Sequence, residues 1–327
     1  MKTTIKDIGE VELINRLKKF MPSGQTDDDV AEIKSSKKTL LINTDLLVEE
    51  IHFSENISNA KDIGWKCITT NVSDLICSGA ENIISYTVGL VVPPSTNWNW
   101  VEKLYEGMWE AMQEFGGAII GGDCTAGEKK IISITAIGEM NQLRLHRSNA
   151  LPGDYIVSTG FHGLSRLGLA LLRSEKLPSE VQISPQLINK AIKAHKRPHP
   201  AIKAFKALIE CKPESTTWRA AGTDSSDGLI ESIRGICYSS NCQAVLSKTS
   251  ILKDPHWPND SSWNEWVLNG GEDYELILCL PKKWAEALSK KFKSAKIIGF
   301  IKKGKPNIFW DNLEEINLEQ SSLFKHF

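Results

Sequence analysis

A chain of 327 residues is long for one small domain and short for three, so two domains are expected. Apolar residues make up 41% and charged residues 24%, enough to bury a core, while 39 basic against 40 acidic side chains leave no broad basic field for a nucleic acid. The opening MKTTIKDIGEVEL has no apolar run of signal-peptide length, no stretch nears the ~18–20 apolar residues that span a bilayer, and seven scattered cysteines without a Cys-x-x-Cys pair read as reduced thiols in a cytoplasmic protein.

In chain order, KTLLINTD (38–45) reads as a strand ending at polar residues. SNAKDIGWKCITTNVSDLICSGA follows, with Ile63, Cys67, Ile68, Val72, Leu75 and Ile76 at helical spacing and Gly79 as the stop. IISYTVGLVVPP (83–94) is a second strand, halted by two prolines. The clearest helix places Val101, Leu104, Tyr105, Met108, Met112 and Phe115 on one face and closes at Gly116-Gly117. AIIGGD (118–123) and KIISITAIGEM (130–140) are strands.

The rhythm then changes across QLRLHRSNALPGD, at about residues 141–152, which puts the domains at 1–146 and 147–327. LPGDYIVSTG (151–160) is a turn and a strand, and three helical stretches run from about 163 to 211. SSDGLIESIRGICYSSN (225–241) sets Leu229, Ile230, Ile233 and Ile236 on a helical face. ELILCLP (275–281) and AKIIGFI (295–301) read as strands bracketing a helix over 282–292. No repeat or low-complexity segment is evident.

The aspartates fall at informative places. Asp45 ends LINTD, Asp123 ends IIGGD, Asp74 lies in the helical NVSDL, and Asp224 and Asp227 flank two serines before a helix. Asp28 and Asp29, in TDDDV, complete the set. Singly, each has a plain reading: Asp224 or Asp227 as an N-cap, Asp123 as a turn, Asp74 as a solvated helix position. Together, with Gly, Ser and Thr beside so many of them, they suit a ligand that approaches the backbone closely. Converging carboxylates need cations, and hard oxygen donors select Mg²⁺ or Ca²⁺ over zinc. Mg²⁺ commonly joins carboxylates to phosphates, and the chain has neither a P-loop nor a protein-kinase glycine loop, so phosphate would be handled through metal.

QTDDDVA, NTDLLVEEIHF, NVSDLICSGA, GGDCTAG, HRSNALPGD, KRPHP, TDSSDGL and GGEDYEL occur in the order found in thiamine-monophosphate kinases, which the chain resembles from about residue 7 to its LFKHF end. The resemblance implies the α+β, α/β two-domain fold of the aminoimidazole-ribonucleotide synthetase and selenophosphate synthetase superfamily. In that fold an N-terminal sheet-and-helix domain forms a β-barrel across a homodimer, a C-terminal α/β domain packs alongside, and ATP lies in the cleft. It implies direct in-line transfer from ATP to thiamine monophosphate with several Mg²⁺ ions, and admits K⁺.

Carried over by position, the metal ligands are Asp28, Asp29, Thr44, Asp45, Asp74, Asp123, Asp224 and Asp227, with Asn43 offering an oxygen where serine is usual. Arg147, Tyr105, Gly122, Asp123 and Ser226 match nucleotide contacts, and His52, Glu272 and Phe324 match positions holding thiamine monophosphate. Asp45, Asp123 and Arg147 would carry catalysis. An aromatic face and a carboxylate suit a flat cationic thiazolium. Yet Phe324 also reads as a packed tail residue, Glu272 as a turn acid, His52 as structural, and Tyr105 as part of its helix's apolar face. The chain departs from the family pattern at Asp27 and in Glu49-Glu50, where glycine is usual before the Asp pair and in the second of the two glutamate positions. It also departs at Cys124 in GGDCT and at Arg166, where small residues are usual. The rivals are a synthetase of the same superfamily and a non-catalytic cation-binding protein.

Overall fold

The computed structural model describes residues 31–34 and 38–316. The first of two mixed sheets contains β1 (Ala31–Lys34), β2 (Thr39–Val48), β3 (Asn82–Val92), β4 (Ala118–Ala126) and β5 (Ile131–Met140), in the order β1-β2-β5-β3-β4. All pairs are antiparallel except β3 with β4. β5 alternates buried and half-buried residues throughout, the pattern of a central strand with one face on the core. Two strands outrun their expected ends. β2 continues past Asp45 to Val48, and β4 past Asp123 to Ala126, because the ladders to β5 and β3 continue whatever the side chain. Both aspartates therefore lie within strands.

Two helices cover this sheet. α1 (Ala60–Cys77) starts at Asn59, whose side chain accepts the Asp62 N–H, and stops at Ser78 and Gly79, the latter at φ 109°. α2 (Trp98–Phe115) stops at Gly116 as its sequence predicts. The two cross where Gly64 and Gly107 meet backbone: a Cβ on Gly64 would lie 1.9 Å from the Leu104 carbonyl oxygen.

The second sheet has the order β11-β8-β10-β6-β9-β7. Its strands are β6 (Tyr155–Ser158), β7 (Ala221–Asp224), β8 (Gln243–Leu246), β9 (Leu276–Leu280), β10 (Lys296–Lys302) and β11 (Asn307–Trp310). α3 (Leu164–Leu172), α4 (Pro185–Lys196) and α5 (Ile202–Glu210) are the three stretches expected between 163 and 211. α6 (Leu229–Ser240) follows β7, α7 (Asn264–Asn269) precedes β9, and α8 (Lys282–Lys291) joins β9 to β10.

α1 sits at the centre. Fifteen of its eighteen residues are buried, so its apolar residues do not form one stripe but face the sheet, α2 and the second half of the chain. Its buried polar residues need partners, and several find them beyond residue 146. Arg197 of the KRPHP segment donates to Asp62 at 2.7 Å and to Glu110 of α2 at 2.9 Å, and the Trp65 indole donates to the Pro198 carbonyl at 2.7 Å. One apolar core joins Ile68, Leu104 and Ile134 to Phe205, Leu276 and Trp284, while a second, with Leu167, Ile233, Trp263 and Ile298, lies within the later residues. Among the described residues no helix is long and apolar enough to cross a membrane. Among the described residues the first sheet does not close on itself, with β1 and β4 at its edges.

Candidate active site

The polar side of α1 meets the end of β7. Ser73 donates to Asp224 Oδ2 at 2.5 Å, and Ser226 donates to the other oxygen, Asp224 Oδ1, at 2.8 Å. Asp224 is buried at the last position of its strand, and Asp227 is exposed in the turn to α6. Donor atoms of Asp74, Cys77 and Asp224 lie within 4.8 Å of one another. Asp74 is thus no solvated helix position. Asn43 of β2 donates its amide to Asp74 Oδ2 at 2.9 Å, and its carbonyl Oδ1 is buried without a hydrogen-bond partner.

Strand alternation places Asp45 on the same side of β2 as Asn43 and Leu47. Its charge is felt at the deeply buried Tyr274. Burial first, then Glu272, Asp224, Asp45 and Asp74, push that phenol well above its ordinary range. Four carboxylates therefore act electrostatically on one hydroxyl. Thr44 points to the opposite face, where its Oγ1 lies 2.7 Å from that of Thr135.

The GGEDYEL segment forms the far wall. Glu272 and Tyr274 hold φ values of 62° and 52°, a conformation that costs a non-glycine residue free energy and persists only where surrounding contacts impose it. The Glu272 N–H donates to the Ser226 carbonyl at 2.7 Å, and Gly271 lies against the same carbonyl. The Glu272 carboxylate takes Lys66 Nζ at 2.8 Å and lies 3.2 Å from His195 Nδ1. Burial would push this carboxyl up, but the Lys66 ammonium and the His195 contact outweigh it and hold the group well below the usual range. Its negative charge is already offset by lysine, so it is not a bare counter-ion for a thiazolium. Next to it, burial pushes Asp273 and Glu275 up to about 7.

Arg147 begins the short 3-10 turn 147–149, and its Nε donates to Thr223 Oγ1 at 3.2 Å, next to Asp224. The remaining expected residues have surroundings of their own. His52 Nδ1 accepts the Val48 N–H at 3.0 Å in the turn after β2, a local structural bond. Tyr105 is half-buried at the edge of the first core and also lines an apolar groove of about 570 Å³ with Trp98, Val101, Trp109 and Cys124. Gly122 is required by close packing, since a Cβ there would lie 1.9 Å from the Val88 carbonyl oxygen.

Asp123 is exposed on edge strand β4 and accepts the Cys124 N–H at 2.9 Å. Three strand spacings separate β4 from β2, about 14 Å. Asp123 is therefore held apart from Asp45 along that sheet. Asp28, Asp29 and Phe324, like Asp27, lie outside the described residues.

Residues 26–140 match the family of AIR synthase related proteins, N-terminal domain. A thiamine-monophosphate kinase of Prochlorococcus marinus is 50% identical over 323 residues, covering 99% of this chain and 97% of that protein. The chain belongs to the thiamine-monophosphate kinase family. The enzyme of that name from Synechococcus elongatus is 35% identical over 330 residues, with 99% and 98% covered. The solved structure of AaThiL complexed with AMPPCP and TMP superposes with a TM-score of 0.84 at 27% identity, covering all of both chains.

Two departures from the family pattern acquire a physical meaning. Glu50 stands where glycine is usual and adopts φ 63°, the conformation glycine favours. Arg166 stacks 4.4 Å from the centroid of the Trp266 ring and donates to Glu175 at 2.7 Å. Sequence reasoning missed Lys66, Ser73, Cys77 and His195. The available signal was polarity at positions 66 and 73 of α1, eight and one residues before Asp74, shared with other polar residues of the same helix such as Asp62 and Asn71.

Proposed function

We propose that the protein transfers the γ-phosphoryl group of ATP to thiamine monophosphate, giving ADP and thiamine diphosphate. The observation that carries this reading is the 50% identity to a thiamine-monophosphate kinase across nearly the whole chain. The closeness of Asp74 and Asp224, with Asp45 within electrostatic reach of the same Tyr274, supports it. The buried carboxylate of Asp224, the half-buried one of Asp74 and an orphaned amide oxygen on Asn43 offer oxygen donors that fit a hard cation, with the Cys77 thiol beside them as a softer neighbour. Asn43, Asp45, Asp74 and Asp224 would hold Mg²⁺, with Asp227 at the rim. Such ions would supply charge neutralisation at the phosphates.

The chain's own residues then orient and screen. The terminal oxygen of the thiamine monophosphate phosphate is already largely ionised near neutral pH, so no strong general base is required. It forms the new bond to the γ-phosphorus as the bond to the ADP oxygen breaks. Arg147, bonded to Thr223 next to Asp224, would meet phosphate charge, and Glu272 would face the organic part of the acceptor. Catalysis is mainly positioning and charge neutralisation.

The reading extends to a homodimer in which the first sheets of two copies pair into a barrel, with ATP in the cleft between the chain's halves. Its support is the uncovered sheet face and edge: Leu46, Ile84 and Ile120 are 54%, 40% and 66% exposed. A second copy would also bring an Asp123 that one chain holds apart from Asp45. None of the seven cysteines forms a disulfide, which fits a reducing, cytoplasmic setting. The test is product analysis with ATP, Mg²⁺ and thiamine monophosphate. Thiamine diphosphate and ADP in equal amounts are expected; ADP without thiamine diphosphate would overturn the assignment.

A further inference from the structure

We infer that Lys66, with His195 and Ser165, is a positioning clamp that fixes one oxygen of Glu272 so that the other is presented to the phosphoryl acceptor. This rests on the reading of Glu272 as a contact to thiamine monophosphate. Lys66 is only 5% exposed and lies on α1 eight residues before Asp74, roughly 12 Å along the helix. Its Nζ donates to Glu272 Oε2 at 2.8 Å. The same oxygen lies 3.2 Å from His195 Nδ1, on α4, and 3.4 Å from Ser165 Oγ, on α3. Three helices therefore converge on Oε2, and none of these contacts falls on Oε1.

The backbone end of Glu272 is held as well. Its N–H is bonded to the Ser226 carbonyl and its φ is 62°, so the residue sits in a conformation its neighbours must impose. A buried lysine needs a partner, and a carboxylate with one oxygen against Lys66, Ser165 and His195, the last two themselves 3.1 Å apart, has lost its rotational freedom. Because Ser226 also bonds Asp224, the clamp couples the acceptor's carboxylate to the acids proposed for metal. Lys66 is thus set to act through Glu272, without touching substrate.

The test is a double-variant cycle in the full-length protein with Lys66→Met, Glu272→Leu and both together, each with a melting curve and separate KM values for thiamine monophosphate and ATP. Each single variant is expected to raise KM for thiamine monophosphate by about tenfold or more while KM for ATP changes by less than about threefold. The double variant, in which two apolar side chains replace the ion pair, should fold and be no worse than Glu272→Leu alone, since a clamp without its carboxylate has nothing to hold. Additive effects, or equal rises in both KM values, would overturn the clamp. A normal KM in Glu272→Leu would remove the Glu272 reading itself, whereas a normal KM in Lys66→Met alone would remove only the clamp.

Discussion

Replacing Gly271 by alanine tests whether the GGEDYEL wall and the Asp224 turn work as one unit. A Cβ at Gly271 would lie 2.4 Å from the Ser226 carbonyl oxygen, where ordinary contact begins at 3.4 Å. That oxygen is backbone and cannot swing away as a side chain could, so the two segments must part by about 1 Å, a displacement that can cost about 100-fold in rate when it reaches a reacting group. The same carbonyl accepts the Glu272 N–H and belongs to the serine that bonds Asp224, so both the acceptor wall and the carboxylate cluster should shift. Overpacking of this kind also costs about 1–3 kcal/mol of stability. The assay is the initial rate of thiamine diphosphate formation at saturating ATP and Mg²⁺, with a denaturant melt on the same sample. A turnover within about threefold of the unaltered protein, with an unchanged melt, would refute the idea that this contact sets the site's geometry.

Asp45→Asn and Asp224→Asn should each raise the Mg²⁺ needed for half-maximal rate by about tenfold or more and depress turnover further, with near-normal rates at limiting Mg²⁺ counting against the metal assignment. Glu50→Gly should stabilise the protein by up to about 1 kcal/mol in a denaturant melt, because glycine accepts φ 63° without strain; a loss of that size would contradict the strain argument. Glu275 is held up at about 7 by burial, against an ordinary 4.5, so the unfolded chain gives up this proton first. Its contribution to stability is whole below pH of about 4 and is lost as pH rises toward about 7. Glu275→Gln, which keeps an acceptor for Thr159, should therefore gain stability relative to the unaltered protein between about pH 5 and about pH 7.5; a parallel pH profile would show that the buried acid is not the cause.

Much of the fold was legible because it rests on local periodicity. The apolar face of α2 and its stop at Gly116 follow from spacing and a terminal glycine, and β5 shows the alternation of a half-buried strand. The four-residue strands β7, β8 and β11 are too short to show a period. α1 shows the converse limit. Buried on nearly every side, it has no single apolar stripe, so sequence could mark it as a helix without saying which face meets which neighbour.

The candidate site divides along the same line. The aspartates at strand ends and helix starts stand out in the sequence by residue type and position, while the Thr-Asp pair and the GGED segment are marked by the ordered motifs of the family resemblance. Which of them meet is a matter of tertiary packing. Only the folding of α1 against the later half brings Asp74 to Asp224, and only the sheet order sets Asp123 three strands from Asp45, whereas the turning of Asn43 and Asp45 to one side of β2 and Thr44 to the other follows from strand alternation. The Lys66–Glu272 pair spans 206 positions of sequence, and no local pattern can announce a partner that far away. The sequence determined the chemistry available to this protein; the burial of one helix between its two halves decided which residues could share it.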